Sequence, residues 1–557
     1  MWLGRRLTPC DSPGTRTSAA STELALHRYI LHSEALEHEM NLLCRAMAAF
    51  SLLIIFPNPS LCQAHHQPSA QVKLGDVSFP VSCLPAVQAP FNQAVALLHS
   101  FAYYAAEQRF LEIAQNDPNC AMAHWGMAMS YYHQMWEPPI TVTDLERGQR
   151  EIEKAQHFGG ASPREEGLIE ALAAYYRGSP SLPNETRALA YQKAMATVAI
   201  RNPKDIESQI FYALALLSTA SPADGNHVNQ KRAAEILEPL FQKYPEHPGI
   251  AHYLIHAYDN PELARLGLPA ARAYSQIAPS APHALHMPSH IFTQLGLWQD
   301  SINSNTAARI AAREQGDIGE ELHSMDYLMY AYLQAGRYAE ATRLLQELRA
   351  MQGLPVSQFK VGYSATAMPV RFAMERRQWA ELAAVPRLEG ALPQVVAISY
   401  WARTIGLARA DKPDAAAPDL AQLKELLLQV RAENDDYWAA QVEIQLEEAE
   451  GWVAHAKGQQ DEALSLLRSA AQQENGLEKR PITPGPIVPA REQLGDLLLE
   501  LTRGREALQE FETSLEKAPR RRRALSGAIR AAELSGDRRL AEHFKSEFST
   551  LNEDGRQ

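Results

Sequence analysis

The segment HALHMPSHIF, His283–Phe292, sets His283, His286 and His290 within eight residues of a chain that has 19 histidines in 557. At about 100° per residue the three fall within an arc of about 60° if the segment is one helix. Pro288 lies among them; it removes a backbone donor, so it kinks that helix or begins a new one. Just upstream, AHYLIHAYD (Ala251–Asp259) puts His252, His256 and Asp259 on a face of similar width. Downstream, ELHSMDYLMYAYL brings His323 and Asp326 together, three residues apart. Imidazoles at i and i+4 have metal-ligand spacing, and carboxylates complete a coordination shell or orient its ring nitrogens. His252, His256, Asp259, His283, His286, His290, His323 and Asp326 are therefore candidate ligands for zinc, copper or non-haem iron. Tyr253 stands where the HExxH pattern of zinc proteases has its general base, so that reaction is not indicated. A second reading leaves the same histidines hydrogen-bonded across helix junctions or lining a peptide-binding groove.

The elements that must position these residues read as helical repeats. In Ala490–Pro519, Leu494-Gly495 fall in a first helix, Ala507 and Phe511 in a second, and Pro519 closes the pair; Ala541 follows Ala507 by 34 residues. These are tetratricopeptide repeat (TPR) positions. Small residues let two antiparallel helices approach closely, and the proline ends the second. Tyr103, Ala106, Phe110 and Pro118 repeat the pattern, and Gly296-Leu297-Trp298, Gly336-Arg337-Tyr338 and Gly458 mark equivalent turns. Further hairpins are expected over 143–200, 204–244, 248–278 and 393–431. A hairpin cannot bury its apolar face alone, so neighbours stack. The expected fold is all-α: a TPR-like solenoid, a right-handed superhelix of antiparallel helix pairs with a concave groove. First helices of adjacent repeats lie about 10 Å apart, close enough for their histidine faces to converge.

Along the chain this divides into an N-terminal extension (1–39), a signal peptide (40–64), an extended segment (65–90), a solenoid with a histidine-rich groove (91–350), a crossover (351–392) and C-terminal repeats (393–550). The run KRPITPGPIVPA, Lys479–Ala490, has four prolines and a glycine. It reads as an extended loop folding over the groove.

Composition is that of a globular protein, 46% hydrophobic and 21% charged, and the net charge of −12 offers no basic surface to nucleic acid. The one basic run, Arg520–Arg523, reads as a solvated turn between helices. Met40–Ala64 has the order of a secretory signal: Arg45, the apolar stretch Ala46–Phe56, then Pro57 and a small residue at Ala64. That stretch is too short to span a bilayer, which needs about 20 residues. The competing reading is a buried first helix. Met1–Glu39 has no place in either reading, and translation starting at Met40 or Met47 accounts for it. Leu61 before Cys62 argues against a lipoprotein. Of five cysteines, cleavage after Ala64 leaves Cys83 and Cys120, a candidate disulfide in an oxidising compartment or two free buried thiols. His65 and His66 would begin the mature chain as a tail.

His99, His124 and His133 form a second set, read as packing residues, as are Tyr327, Tyr330 and Tyr332. The sequence contains no GxSxG, no P-loop, no CxxC and no GxGxxG after a strand. The combination of LLHSF, DPNCAMAHWGMAMSYYHQMW, HYLIHAYD, HALHMPSHIF and PITPGPIVPARE resembles a group of exported bacterial TPR proteins of unknown function, from about Val81 to the C-terminus. The resemblance implies the fold, export to the periplasm or beyond, and a scaffold that binds a protein or peptide partner in its groove, with no stable membrane span after signal cleavage. It carries no catalytic residue. The alternative is a metal-binding protein or metal-dependent enzyme built around residues 250–330.

Overall fold

The computed structural model describes residues 72–135, 140–178, 180–433 and 435–554. The signal-peptide reading of 40–64, the extension 1–39 and the His65-His66 tail lie outside them. Among the described residues every regular element is a helix, and no helix is long and apolar enough to cross a membrane. Consecutive helices pack as hairpins, and first helices stack on first helices, for example Pro248–Tyr258 on Pro288–Gln294 and Ile318–Ala335 on Phe359–Glu375. The repeat pattern has a visible steric cause. A Cβ on Gly126 would sit 2.3 Å from the Phe110 ring, and one on Gly495 would sit 2.7 Å from the Phe511 ring. Each glycine thus admits the phenylalanine of its neighbouring helix. The fold is a TPR-like α-solenoid.

Two hydrophobic cores run along it. One gathers residues from Leu74 to Phe292, the other residues from Trp298 to Leu551. The chain coils tightly enough for each core to bring distant repeats together. Gln88–His99 packs against Pro248–Tyr258, and Arg522–Ser535 packs against Ile318–Ala335.

Arg520–Arg523, expected as a solvated turn, is the second of these closures, and the expectation is corrected here. Arg520 donates to Gly296 O and Arg522 to Gln334 O, both at 3.1 Å, so these guanidinium groups satisfy carbonyls at helix ends. Arg521 is fully buried against Glu492 (2.5 Å), Glu375 (2.6 Å) and Tyr330 Oη (2.8 Å), and Arg523 pairs with Asp496 at 2.5 Å. Four adjacent cations are tolerated because acidic and carbonyl partners arrive from other helices.

Residues 351–392, read as a crossover, contain the helices Phe359–Glu375 and Trp379–Ala383, and the first joins the stack with Pro369 inside it. Residues 476–489 form a non-helical loop with Ile482, Ile487 and Val488 buried. Its carbonyls are held from below. Tyr327 Oη shares its one proton between Pro481 O (3.1 Å) and Thr483 O (2.9 Å), and Arg371 Nη1 donates to Pro486 O (3.0 Å). Cys83 and Cys120 are disulfide-bonded, tying the non-helical lead-in to the Ala121–Tyr131 helix.

Candidate metal centre

The histidine-bearing helices begin at prolines, Pro248, Pro282 and Pro288, each in the first helical turn where its missing N–H is not needed. Pro288 starts a short helix, yet Met287 stays helical and donates to His283 O at 2.9 Å, so the two pieces run on with little break. The next helix, Ile318–Ala335, is capped by the Asp317 carboxylate, which accepts from Glu320 N.

On this frame six histidines form two triads. His252, His256 and His283 bring one ring nitrogen each within 4.8 Å of one another, and so do His286, His290 and His323. The rule is the same in both: an i, i+4 pair, on Pro248–Tyr258 or across the junction of Pro282–His286 and Pro288–Gln294, is joined by a single histidine from a later helix. All six are buried. His252 Nε2 lies 3.1 Å from His256 Nε2 and 3.2 Å from His283 Nε2; His286 Nε2 lies 3.0 Å from His290 Nε2.

The outer ring nitrogens determine what these short distances mean. His252 Nδ1 is 2.6 Å from the carbonyl of His99, which can only accept, so Nδ1 carries the proton. His283 Nδ1 faces the Glu320 carboxylate at 3.2 Å, again an acceptor. His252 therefore turns a lone pair inward at Nε2, and a neutral His283 ring does the same. In the second triad His290 Nδ1 donates to Asp259 at 2.8 Å, and His286 Nδ1 donates to Asn305 Oδ1 at 2.7 Å. Asn305 is oriented by its own donation to Ser301 O at 2.7 Å. His286 and His290 thus aim two lone pairs at each other across 3.0 Å, too close for a water between them. Two acceptors at that separation repel unless a cation lies between them.

Protons are poorly suited to be that cation. Burial holds His252, His256, His290 and His323 well below the usual imidazole range, reinforced by neighbouring histidines, and burial takes His286 down to about 3. A metal ion fits. Metal–nitrogen bonds of about 2.0–2.1 Å at tetrahedral or right angles separate ligand nitrogens by about 2.9–3.4 Å. The Nδ1 partners are the second shell that fixes tautomer and ring orientation at histidine–metal sites.

Each triad has one carboxylate behind it, and each carboxylate has a lysine. Glu320 pairs with Lys360 at 2.5 Å, and Asp259 with Lys479, from the proline-rich loop, at 2.6 Å. Burial opposes ionisation of Glu320, but Lys360 and His283 outweigh it and hold the carboxyl well below its ordinary value. Aromatic rings wall both triads. Phe101 lies face-on to His256 and His283 and edge-on to His252, and Tyr327 stacks on His290 at 4.9 Å. Phe101 holds φ +52, a left-handed backbone that such a residue adopts only under constraint.

Two other groups do not share this electronic arrangement. His99 Nε2 and His247 Nε2 each approach a different oxygen of buried Glu207, at 2.9 and 3.0 Å, so two donors meet an anion and no lone pairs collide. Those two histidines outweigh the effect of burial and hold Glu207 at about 2. This cluster buttresses the first triad through the His99 carbonyl. Cys83, Asp117 and Cys120 also adjoin, but both sulfurs are committed to the disulfide.

Of the eight candidate ligands, the six histidines converge. Asp259 stands behind His290 as its acceptor. Asp326 is not at either triad: it is buried opposite Arg371, with Oδ1 3.5 Å from Nε. Burial raises its carboxyl, with Arg371 opposing. Sequence reading did not find Glu320, Asn305, Phe101, Lys360 or Lys479. Glu320 had a signal, since it precedes His323 by one helical turn. His124 pairs with Glu151 at 2.7 Å, and His133 stacks on Tyr103 at 4.4 Å.

No protein-family model matches the chain, and no curated protein matches it. Solved structures with similar helical arrangements include a human IFIT1 dimer with m7Gppp-AAAA, at 13% identity over 77% of this chain and 90% of that one, with a TM-score of 0.34. Another is Rap protein complexed with Competence and Sporulation Factor, at 12% identity over 84% of this chain and 99% of that one, also with a TM-score of 0.34.

Proposed function

We propose that this protein is a metalloprotein: a helical-repeat scaffold that binds transition-metal ions in the two triads His252–His256–His283 and His286–His290–His323. The observation that carries the reading is the facing Nε2 lone pairs of His286 and His290 at 3.0 Å, with both Nδ1 protons already donated outward. Hydrogen bonding within the protein leaves that arrangement repulsive, and a coordinated cation makes it attractive. The donor set is all imidazole, which suits copper and zinc, and iron less well because no carboxylate reaches the centre.

Export fits the same chemistry. The order of residues 40–64 and the Cys83–Cys120 disulfide both support an oxidising destination, the periplasm or the cell exterior. A protein or peptide partner remains a use for the scaffold, supported by the repeat architecture alone. Residues 479–489 already cover the Tyr327 end of the histidine face, so such a partner would bind elsewhere or displace them.

The test is metal content. Protein purified without a histidine tag and supplemented with copper or zinc is expected to retain metal through gel filtration. Retention below about 0.2 equivalents would contradict the reading.

A further inference from the structure

The two triads are near-copies in electrostatics as well as geometry. In each, one histidine donates to a neutral oxygen (His252 to His99 O, His286 to Asn305) and one donates to a carboxylate paired with a lysine. They also adjoin. The ring centroids of His256 and His290 are 6.1 Å apart, and those of His283 and His286 are 6.0 Å apart. Ions held by the two triads therefore share one enclosure.

Charge restricts what those ions can be. Imidazole ligands contribute no negative charge, and Lys360 and Lys479 already pair with Glu320 and Asp259. Two divalent ions would place four uncompensated positive charges in a buried, aromatic-walled space, which costs far more than two. Copper(I) halves that charge. Imidazole is among the ligands that suit copper, and each triad offers three of them.

Resting on the metal reading above, we infer that the triads hold a pair of copper ions that, as copper(I), bind dioxygen reversibly between them. The step balances without another reactant. Each copper(I) gives up one electron, the two electrons reduce dioxygen to peroxide, and the O–O bond is kept with its order lowered from two to one. Two copper(II) ions and one peroxide dianion carry the same net charge as two copper(I) ions and neutral dioxygen. The buried centre therefore gains no charge and needs no proton. Release reverses both electron transfers. Dioxygen is small and apolar, so the packed aromatic walls around Phe101 and Tyr327 admit it more readily than a charged ligand.

The experiment uses the whole chain, stripped of metal and titrated with copper(I) under argon against a chromophoric copper(I) chelator, then exposed to dioxygen. Expected are two tightly held coppers per chain, an intense near-ultraviolet charge-transfer band on oxygenation with no copper(II) paramagnetic signal, and loss of the band on purging. His256→Ala and His290→Ala, each in a different triad, are expected to reduce copper from two per chain to one and abolish the band, with the helical circular-dichroism signal showing that the chain still folds. Two coppers with a paramagnetic signal and no band, one copper per wild-type chain, or retention of zinc but not copper would each overturn the dioxygen inference while leaving the metal reading in place. Failure to retain any of these metals would overturn both.

Discussion

His286 and His290 present their Nε2 atoms to each other at 3.0 Å while their Nδ1 atoms donate outward to Asn305 and Asp259. Neither ring can move its proton to Nε2 without setting a bare Nδ1 lone pair against an acceptor oxygen, of Asn305 for His286 and of Asp259 for His290. The repulsion is built in by the second shell, and His252 and a neutral His283 ring repeat it in the neighbouring triad.

Metal should therefore stabilise the fold. A ligand that binds only the native state at about 1,000 times its Kd adds about 4 kcal/mol per site. Thermal unfolding followed by circular dichroism is expected at a higher Tm with copper or zinc, and to return to the apo value on chelation. Equal values in both states would remove the basis for the metal sites.

The apo protein should lose stability in acid earlier than carboxylate titration accounts for. His286 falls from the usual 6.5 to about 3 in the native state, and His252, His256, His290 and His323 are also lowered. Below 6.5 the unfolded chain binds protons that the native chain refuses, so stability is full above that pH and declines as pH falls towards 3. Each such histidine adds a slope of about 1.4 kcal/mol per pH unit. Urea midpoints from pH 7.5 to 5 should drop steeply; a flat profile there would mean that these rings already carry charge.

Gly249→Ala should disturb the first triad from outside it. Its Cβ would lie 2.5 Å from His99 Nδ1, and the fully buried His99 ring, held by Glu207 and Tyr253, has nowhere to go. Overpacking costs about 1–3 kcal/mol, and movement of His99 shifts the carbonyl that orients His252. Lower stability with metal reduced towards one equivalent is expected. Unchanged binding would show that the His99 carbonyl does not position the ligand.

Arg521→Ala should cost about 3–5 kcal/mol, because it leaves the buried carboxylates of Glu492 and Glu375 without their shared cation. Chemical denaturation measures this, and a loss under about 1 kcal/mol would show the closure to be dispensable.

The repeat grammar was legible because it is local: Gly126 with Phe110 and Gly495 with Phe511 are contacts between consecutive helices, and each left its mark at fixed spacing. The pairs His252/His256 and His286/His290 were legible for the same reason. What joins them was not. His323 rather than Asp326 enters the second triad because of how the Ile318–Ala335 helix is rotated, and the one turn separating Glu320 from His323 is no stronger a signal than the three residues to Asp326. The fate of Arg520–Arg523 depends on acceptors up to 224 residues away, which no local pattern encodes. Phe101 and Lys479 lie in stretches that stood out, LLHSF and the proline-rich run, but nothing in either sequence points to the histidines they approach.

The most direct test of the account is metal stoichiometry in wild type and in the double variant His256→Ala/His290→Ala, which removes one ligand from each triad. Measured by inductively coupled plasma mass spectrometry on untagged, copper-supplemented protein, wild type is predicted to hold two copper ions per chain and the double variant essentially none. Wild-type protein without bound metal, or a folded double variant that keeps its full complement, would contradict it.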